Sequence, residues 1–214
     1  MVTTTTRAAP LRRGGVRVQG ISRAAQQARR NHIMAVALDL VLSQGYDGLQ
    51  MRQVAAVAQV STRTLYNHFP SKEHLILAAL IERGRAMDQF RAGPPPGRRP
   101  AQRVRQCMAI PTQALQATPA LATAMAKALV CGQESIIPLL VQFRDAMIDA
   151  IAGAIRPTGP TDADLAVARA LQRIWFTALL AWSSGVEPPE SVTLAIDEAV
   201  AMLVPSTTSR RRSR

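Results

Sequence analysis

Residues 50–75 read QMRQVAAVAQVSTRTLYNHFPSKEHL, and this stretch decides how the rest of the chain is interpreted. Its apolar residues fall on one side of a short helix predicted at 50–58, after which a tight break is expected. A second short helix is predicted at 61–69, with Ser61 or Thr62 as its N-cap and a proline directly after it. Two short helices joined in this way predict a helix-turn-helix, whose second helix enters the major groove of DNA.

The second short helix is predicted to present a polar face to a nucleic acid. On the helical period it buries Leu65 and Phe69. Its exposed residues are Thr62, Arg63, Tyr66 and Asn67. Arginine can bond guanine bidentately and threonine can reach base edges or phosphate. Tyrosine, histidine and lysine at the end of such a helix suit phosphate contacts, which fix register without reading sequence.

The distribution of charge along the chain also favours a polyanionic partner. The 214 residues carry a formal net charge of +12. Residues 1–105 hold 17 Lys and Arg against 5 Asp and Glu, whereas residues 106–209 hold 5 against 9. Residues 210–214 add four arginines. A high-GC genome, which enriches arginine in all its proteins, would also raise the net charge. It does not explain why the excess of positive charge avoids most of the C-terminal half.

The remaining pattern predicts an all-α chain, with no run at the strand period of two. Further helices are predicted at 22–43, 71–91, 101–117, 119–131, 134–155, 161–184 and 190–203. Gly45 is predicted to end the first of them, and Pro111 and Pro138 to kink two others. Residues 92–100 are rich in proline and form the clearest irregular segment.

Two helix starts carry cap signals. Thr118 precedes a proline, which suits an N-cap followed by the first helical turn. Thr161 and Asp164 resemble a capping box, with Asp in the position usually held by Glu or Gln.

Residues 45–75 resemble the TetR family of bacterial transcriptional regulators. The matching residues are Gly45-Tyr46, Val54-Ala55, Val60-Ser61, the run TLYNHF at 64–69, Lys72-Glu73 and Leu75. By motif position the resemblance assigns base reading to Arg52, Thr62 and Arg63. It assigns phosphate contact to Thr64, Tyr66, His68 and Lys72, beside the exposed Asn67. Arg63 stands where the family often has glycine, so the base preference stays open.

The C-terminal half resembles the subgroup of this family that represses steroid (cholesterol) catabolism in actinobacteria. The matching runs are TPALATAMAKA at 118–128 and RIWFTALLAW at 173–182. The resemblance implies a homodimer, paired through the helices at 161–184 and 190–203, on a palindromic operator. The expected domains are a disordered basic arm at 1–21, a helix-turn-helix domain at 22–70, a helical effector-binding and dimerisation domain at 71–205 and a disordered arginine-rich tail at 206–214.

The helices between residues 104 and 152 are apolar over much of their circumference and are expected to line a ligand cavity. The candidate lining residues are Met108, Leu115, Met125, Leu129, Phe143, Met147, Trp175 and Trp182, with Ile110, Leu121 and Leu139 as further members. A filled core is the alternative for any one of them. The two tryptophans share a helix face and reach either the cavity or a subunit interface. The resemblance implies a large hydrophobic effector, with a steroid-derived acyl-CoA leading fatty acyl-CoAs and multidrug-type ligands.

Other classes of protein are disfavoured by the sequence. The histidines cluster in the N-terminal half, and no nucleophile motif, acidic pair in an apolar context or phosphate loop is present, so no enzyme is expected. Cys107 and Cys131 lack metal or disulfide spacing, and no metal or cofactor is expected. Without a signal peptide or a membrane-length apolar run, a cytoplasmic, nucleoid-associated protein is expected. A basic architectural DNA-binding protein remains the rival, although it would not need the long apolar C-terminal half.

Overall fold

The structure, a computed structural model, describes residues 15–85 and 99–204. Within these residues it consists of α-helices and one short 3-10 turn, with no strand, which confirms the all-α prediction. In chain order the elements are α1 (Gly15–Gly48), α2 (Met51–Val57), α3 (Thr62–His68), α4 (Lys72–Arg85), α5 (Pro100–Gln116), α6 (Pro119–Leu129), the 3-10 turn Glu134–Ile136, α7 (Ile137–Ile155), α8 (Asp162–Ser183) and α9 (Glu190–Leu203).

The first helix begins earlier than the sequence predicted. Its backbone is already helical at Gly15, whereas the sequence predicted a helix from residue 22. Gly45 breaks the helix with φ 76° and ψ 171°, a positive-φ conformation that glycine adopts without a steric penalty. Residues 1–14, 86–98 and 205–214, which hold the rest of the arm, part of the irregular segment and the arginine-rich tail, lie outside the described residues.

Two apolar cores are present, and the first extends beyond the N-terminal helices. Leu65 and Phe69 of the helix-turn-helix are fully buried in it, together with Leu75 of α4. Leu121 of α6 and Ile136 of the 3-10 turn belong to the same core. Since burial of apolar area is the main stabilising term, the N-terminal helices and the C-terminal body are held together by one shared core.

The second core lies among α5, α7, α8 and α9. Its largest fully buried side chain is Trp175 of α8. Pro138 lies in the first turn of α7, where proline fits because no backbone donor is needed there, so it starts this helix instead of kinking it. Pro111 is inside α5, as expected.

Capping agrees with the sequence at two helices and differs at a third. Ser61 is the N-cap of α3 and accepts a hydrogen bond from the Thr64 backbone at 3.0 Å. Thr161 and Asp164 form the expected capping box, and the Arg156 guanidinium at 2.7 Å holds the pKa of the Asp164 carboxyl down at about 2. Thr118 caps nothing with its side chain, because its hydroxyl donates to the Ala114 carbonyl at 2.8 Å.

In the described ranges, no single helix is long and apolar enough to cross a membrane. One pair, Pro119–Leu129 with Glu134–Ile155, has that length and composition together but is bent by 114°.

Candidate functional site

Helix α3 has the orientation that a recognition helix needs. Leu65 and Phe69 point into the core, and the opposite face is open to solvent. Of the eight residues predicted to contact DNA, Arg52, Thr62, Arg63, Tyr66 and Asn67 are exposed, and Thr64, His68 and Lys72 are half-buried. The eight therefore lie on α2, α3 and the first turn of α4, along one continuous run of the chain.

The turn between α2 and α3 is tight, as the sequence predicted. Gln59 adopts a positive φ of 55°, which is uncommon for a residue with a side chain. The backbone of Val60 donates to the carbonyl of Ala55 at 2.9 Å and closes the turn. This geometry sets the angle at which α3 leaves α2.

Phe69 anchors α3 between two basic residues. The Arg30 guanidinium lies 4.5 Å from its ring centroid, and the His74 ring meets it edge-on at 6.0 Å. Burial, and then the Arg30 charge, lower the pKa of His74, so this imidazole is neutral at physiological pH. His74 therefore contributes packing to the DNA-binding part and not positive charge.

A polar cluster that sequence reasoning missed lies beside Lys72. The Lys72 ammonium sits 4.1 Å from the Tyr46 ring centroid and donates to the Tyr46 carbonyl at 3.3 Å. The Tyr46 hydroxyl donates to Glu73 at 2.7 Å, and the Gln133 amide donates to the other oxygen of Glu73 at 2.9 Å. Lys127 of α6 pairs with Asp47 at 2.6 Å. We call this set, namely Tyr46, Asp47, Lys72, Glu73, Lys127 and Gln133, the Tyr46 cluster.

A cavity of about 690 Å³ lies among α4, α5, α6, α7 and Trp175 of α8. Five of the eight predicted lining residues face it, namely Leu115, Met125, Phe143, Met147 and Trp175. Leu121, one of the further members, also lines it. Leu77, Leu80 and Ile81 of α4 add large apolar side chains to its wall. The cavity thus touches the helix whose first turn carries Lys72.

Three predicted lining residues lie elsewhere. Met108 is fully buried two turns before Leu115 on α5, where it borders a second and more polar cavity of about 700 Å³. Leu129 packs between the two cores at the end of α6. Trp182 is half-buried in the last turn of α8, away from the lining. Of the two further members not yet placed, Leu139 packs against the first core, and Ile110 does not line the cavity either.

The cavity also has polar residues that the search for apolar helices overlooked. Glu82, Arg83 and Arg85 line it at the end of α4, and Thr118 and Gln142 line it elsewhere. Glu82 and Arg85 form a loose ion pair at 3.9 Å. The ionic side chains of the lining therefore all come from the end of α4, and the rest of the lining is mainly apolar.

Trp175 is tied to α5 by a buried hydrogen-bond chain. Its indole nitrogen donates to the Thr112 hydroxyl at 2.9 Å, and that hydroxyl donates to the Met108 carbonyl at 2.7 Å. Thr112 is itself buried and borders the second cavity. This chain fixes the orientation of the indole in the cavity wall.

We expect Thr112→Val to lower the free energy of unfolding by about 1–3 kcal/mol, because the buried indole N–H would lose its acceptor. Urea unfolding measures this change. Thr177→Val is the matched control, since Thr177 is exposed on α8 and makes only a bond within its own helix at 3.0 Å. Equal losses in the two variants would show that the Trp175 bond is not what stabilises this region.

In the part of the chain that the structure covers, no group of three or more His, Cys, Asp or Glu residues is arranged to hold a metal ion. The two cysteines are free. Burial raises the pKa of the Cys107 thiol to about 11, so it stays protonated.

Comparison with known proteins identifies both halves of the chain. Residues 33–79 match the family described as "Bacterial regulatory proteins, tetR family", and residues 97–203 match "Tetracyclin repressor-like, C-terminal domain". The HTH-type transcriptional repressor KstR of Rhodococcus jostii is 35% identical over 184 residues, which cover 86% of each chain.

Solved structures agree with this assignment. A TetR transcriptional regulator from Rhodococcus sp. RHA1 superimposes with a TM-score of 0.74 at 29% identity, over 83% of this chain and 96% of that one. FadR of Thermus thermophilus, solved in complex with lauroyl-CoA, has a TM-score of 0.61 over 85% and 96% of the two chains, and at 21% identity it shares the fold alone. The chain belongs to the TetR family of bacterial DNA-binding transcriptional regulators.

Proposed function

We propose that this chain is a homodimeric repressor that leaves a palindromic operator when it binds a large, mostly apolar effector. One observation carries the proposal. A single helix, α4, presents Lys72 at the DNA-contacting end and lines the cavity with Leu77, Leu80 and Ile81. A ligand that displaces the far end of α4 would therefore move the DNA-binding helices.

The effector we favour is a steroid-derived acyl-CoA. The cavity volume of about 690 Å³ lies in the range of small-molecule sites, and its walls are mainly hydrocarbon, thioether and aromatic. Burial of apolar area at about 25 cal/mol per Å² would supply affinity for a fused-ring body. The resemblance of residues 118–128 and 173–182 to steroid-catabolism repressors supports a steroid, and the lauroyl-CoA in FadR supports a CoA thioester in this fold. The CoA portion would protrude from the apolar interior.

For release, the effector must bind the free arrangement of the protein more tightly than the operator-bound arrangement. A ligand that binds the operator-bound and free arrangements equally shifts nothing, however tightly it binds. We propose that the free arrangement has the wider cavity, so that a ring system packed between Met125 and Phe143 favours it. The spacing of the two recognition helices would then no longer match the operator.

A second copy of this chain would complete the regulator. Exposed apolar side chains lie on α9 and on the turn that joins it to α8, namely Val186 at 76%, Leu194 at 59% and Met202 at 77% exposure. We propose that α8 and α9 pair with their symmetry mates in a four-helix bundle and cover this surface. The dimer would act on DNA in the cytoplasm, and we propose no catalytic activity for it.

The test is a release experiment on an operator selected from random-sequence DNA by the full chain. The CoA thioester of a steroid carboxylic acid, lauroyl-CoA, stearoyl-CoA, a free steroid and a set of small cationic drugs are each titrated against the complex, and DNA release is followed by fluorescence anisotropy. We expect the steroid thioester to act at the lowest concentration. Release by fatty acyl-CoAs alone would make the protein a fatty acyl-CoA regulator. Release only by small cationic drugs would place it among multidrug regulators, and no release by any ligand would favour the architectural alternative.

Base reading by Arg63 gives a further expectation. Arg63→Ala should weaken binding to the selected operator by about 1–3 kcal/mol, because a bidentate bond to guanine would be lost. Binding to random DNA should change far less. Anisotropy titrations on both DNAs measure the difference. An equal loss on both would assign Arg63 to phosphate contact.

A further inference from the structure

Lys72 is held in place more firmly than a surface lysine usually is. Its ammonium lies over the Tyr46 ring at 4.1 Å and also donates to the Tyr46 carbonyl at 3.3 Å. A free lysine side chain has many rotamers, and ordering it on DNA would cost conformational entropy. Because the contacts with Tyr46 already order the Lys72 side chain, binding DNA would cost less conformational entropy. Two of its three N–H donors remain for a phosphate.

Tyr46 is itself fixed by the neighbour of Lys72. Its hydroxyl donates to Glu73 at 2.7 Å, and burial together with this carboxylate raises the pKa of the phenol well above its ordinary value. The phenol therefore stays protonated and keeps its donor role. Because Gly45 breaks α1 directly before it, the Tyr46 ring can turn out of the helix and lie beneath the start of α4.

A second cation, on α6, also lies near the Tyr46 ring. The Lys127 ammonium lies 5.4 Å from the Tyr46 ring centroid and bonds both oxygens of Asp47, at 2.8 and 2.6 Å. Lys127 belongs to α6, which lines the cavity with Leu121 and Met125. A movement of α6 is thus passed to Tyr46 without passing through α4.

We propose that Tyr46 is a positioning residue that holds the Lys72 ammonium for a phosphate contact, and that Lys127 connects this hold to the α6 wall of the cavity. The first half rests on the DNA-binding role of Lys72, and the second rests on the proposed effector function. Occupancy of the cavity then reaches the DNA-contacting face by two routes, α4 and α6.

A double-mutant cycle on operator binding tests the first half without any effector. Lys72→Met and Tyr46→Leu should each weaken binding by about three- to tenfold. Each should flatten the dependence of log K on log salt by about 1.8, since one phosphate contact worth about 0.9 is lost in each protomer of the dimer. The double variant should be within about twofold of Lys72→Met alone, because both changes remove the same contact. Tyr46→Phe keeps the ring and should recover most of the affinity and the full salt slope.

Purely structural damage by Tyr46→Leu would give a different result. Its loss would then add to that of Lys72→Met, and the salt slope would not change, which would overturn the positioning role. Should Tyr46→Leu fail to fold, Tyr46→Gln, which also lacks the ring, takes its place in the cycle, and the same two outcomes decide. Failure of all variants and of the unmodified chain to select an operator would instead count against the proposed function.

Lys127→Met tests the connection to the cavity. The acyl-CoA that releases the unmodified chain is used as the effector. The affinity of Lys127→Met for the effector and for the operator should each stay within about twofold of the parent. The ratio of its operator affinity without effector to that with effector should fall by about threefold or more. Arg144→Met is the matched control, because Arg144 also makes an exposed ion pair, at 2.8 Å, and does so on α7. An unchanged ratio in Lys127→Met would remove α6 as a route.

Discussion

Leu194→Asp combined with Met202→Asp should convert the protein into a monomer that binds its operator about a hundredfold or more weakly. The two residues lie on one side of α9, and both are largely exposed in the single chain. A carboxylate at each position would be buried without a partner in a bundle of α8 and α9 with their symmetry mates. A monomer carries one recognition helix and loses the second half-site, which otherwise binds as an intramolecular event.

Sedimentation velocity and operator titrations measure this effect together. Val141→Asp is the control, since Val141 is an exposed apolar residue on α7, outside the surface assigned to the dimer. It should leave both the sedimentation coefficient and the operator affinity unchanged. A double variant that remains a dimer would place the interface elsewhere. A monomer that binds the whole palindrome as tightly as the parent would show that the two recognition helices act independently.

Local signals explain why the DNA-binding helices could be predicted from the sequence. Three local signals for α3 lie within ten residues of one another. Ser61 caps the helix, Leu65 is its buried residue, and Pro70 follows its end. The N-cap, the buried face and the end of α3 can therefore all be predicted from one short segment. The capping box at Thr161 was predictable for the same reason, since both partners lie in one turn.

The Tyr46 cluster could not be found in that way. Tyr46 and Glu73 are 27 residues apart, and Asp47 and Lys127 are 80 apart. Periodicity tells which residues share a face of one helix, but it does not tell which faces of two helices meet. The motif residues Gly45-Tyr46 were the available signal, and they mark a family pattern of residue types without naming a contact.

The cavity shows the same difference between a helix pattern, which the sequence predicts, and contacts between helices, which it does not. Met108 and Leu115 are both buried on α5, yet only Leu115 faces the cavity between α4 and α7. The two residues are seven apart and therefore share a face of α5, so the neighbours that each turn of the helix meets decide this, and not the face alone. Apolar patterning therefore predicted that α5 is buried over much of its surface, and it could not divide the buried residues between core and cavity. The arginines at the end of α4 were overlooked because charged side chains were expected to face solvent.

Filling the cavity should abolish the response to effector without affecting the DNA-binding helices. Ala114 lines the cavity from α5, and Ala117, three residues later, is exposed and does not. Ala114→Trp would occupy space that the effector's hydrocarbon needs. Displacing about four methylene groups at about 0.8 kcal/mol each would weaken effector binding by about a hundredfold or more.

Operator affinity in the absence of effector should remain within about twofold of the parent, because Ala114 contacts none of the DNA-binding residues. Ala117→Trp is the control, and it should bind effector and release DNA as the parent does. Calorimetric titration with the acyl-CoA that releases the parent measures effector affinity, and anisotropy measures release. Retention of full effector affinity in Ala114→Trp would place the ligand outside this cavity. Loss of operator binding without ligand would instead mean that a filled cavity imitates the bound effector, and the bulk of the new side chain would then act on α4 as the steroid body is proposed to do.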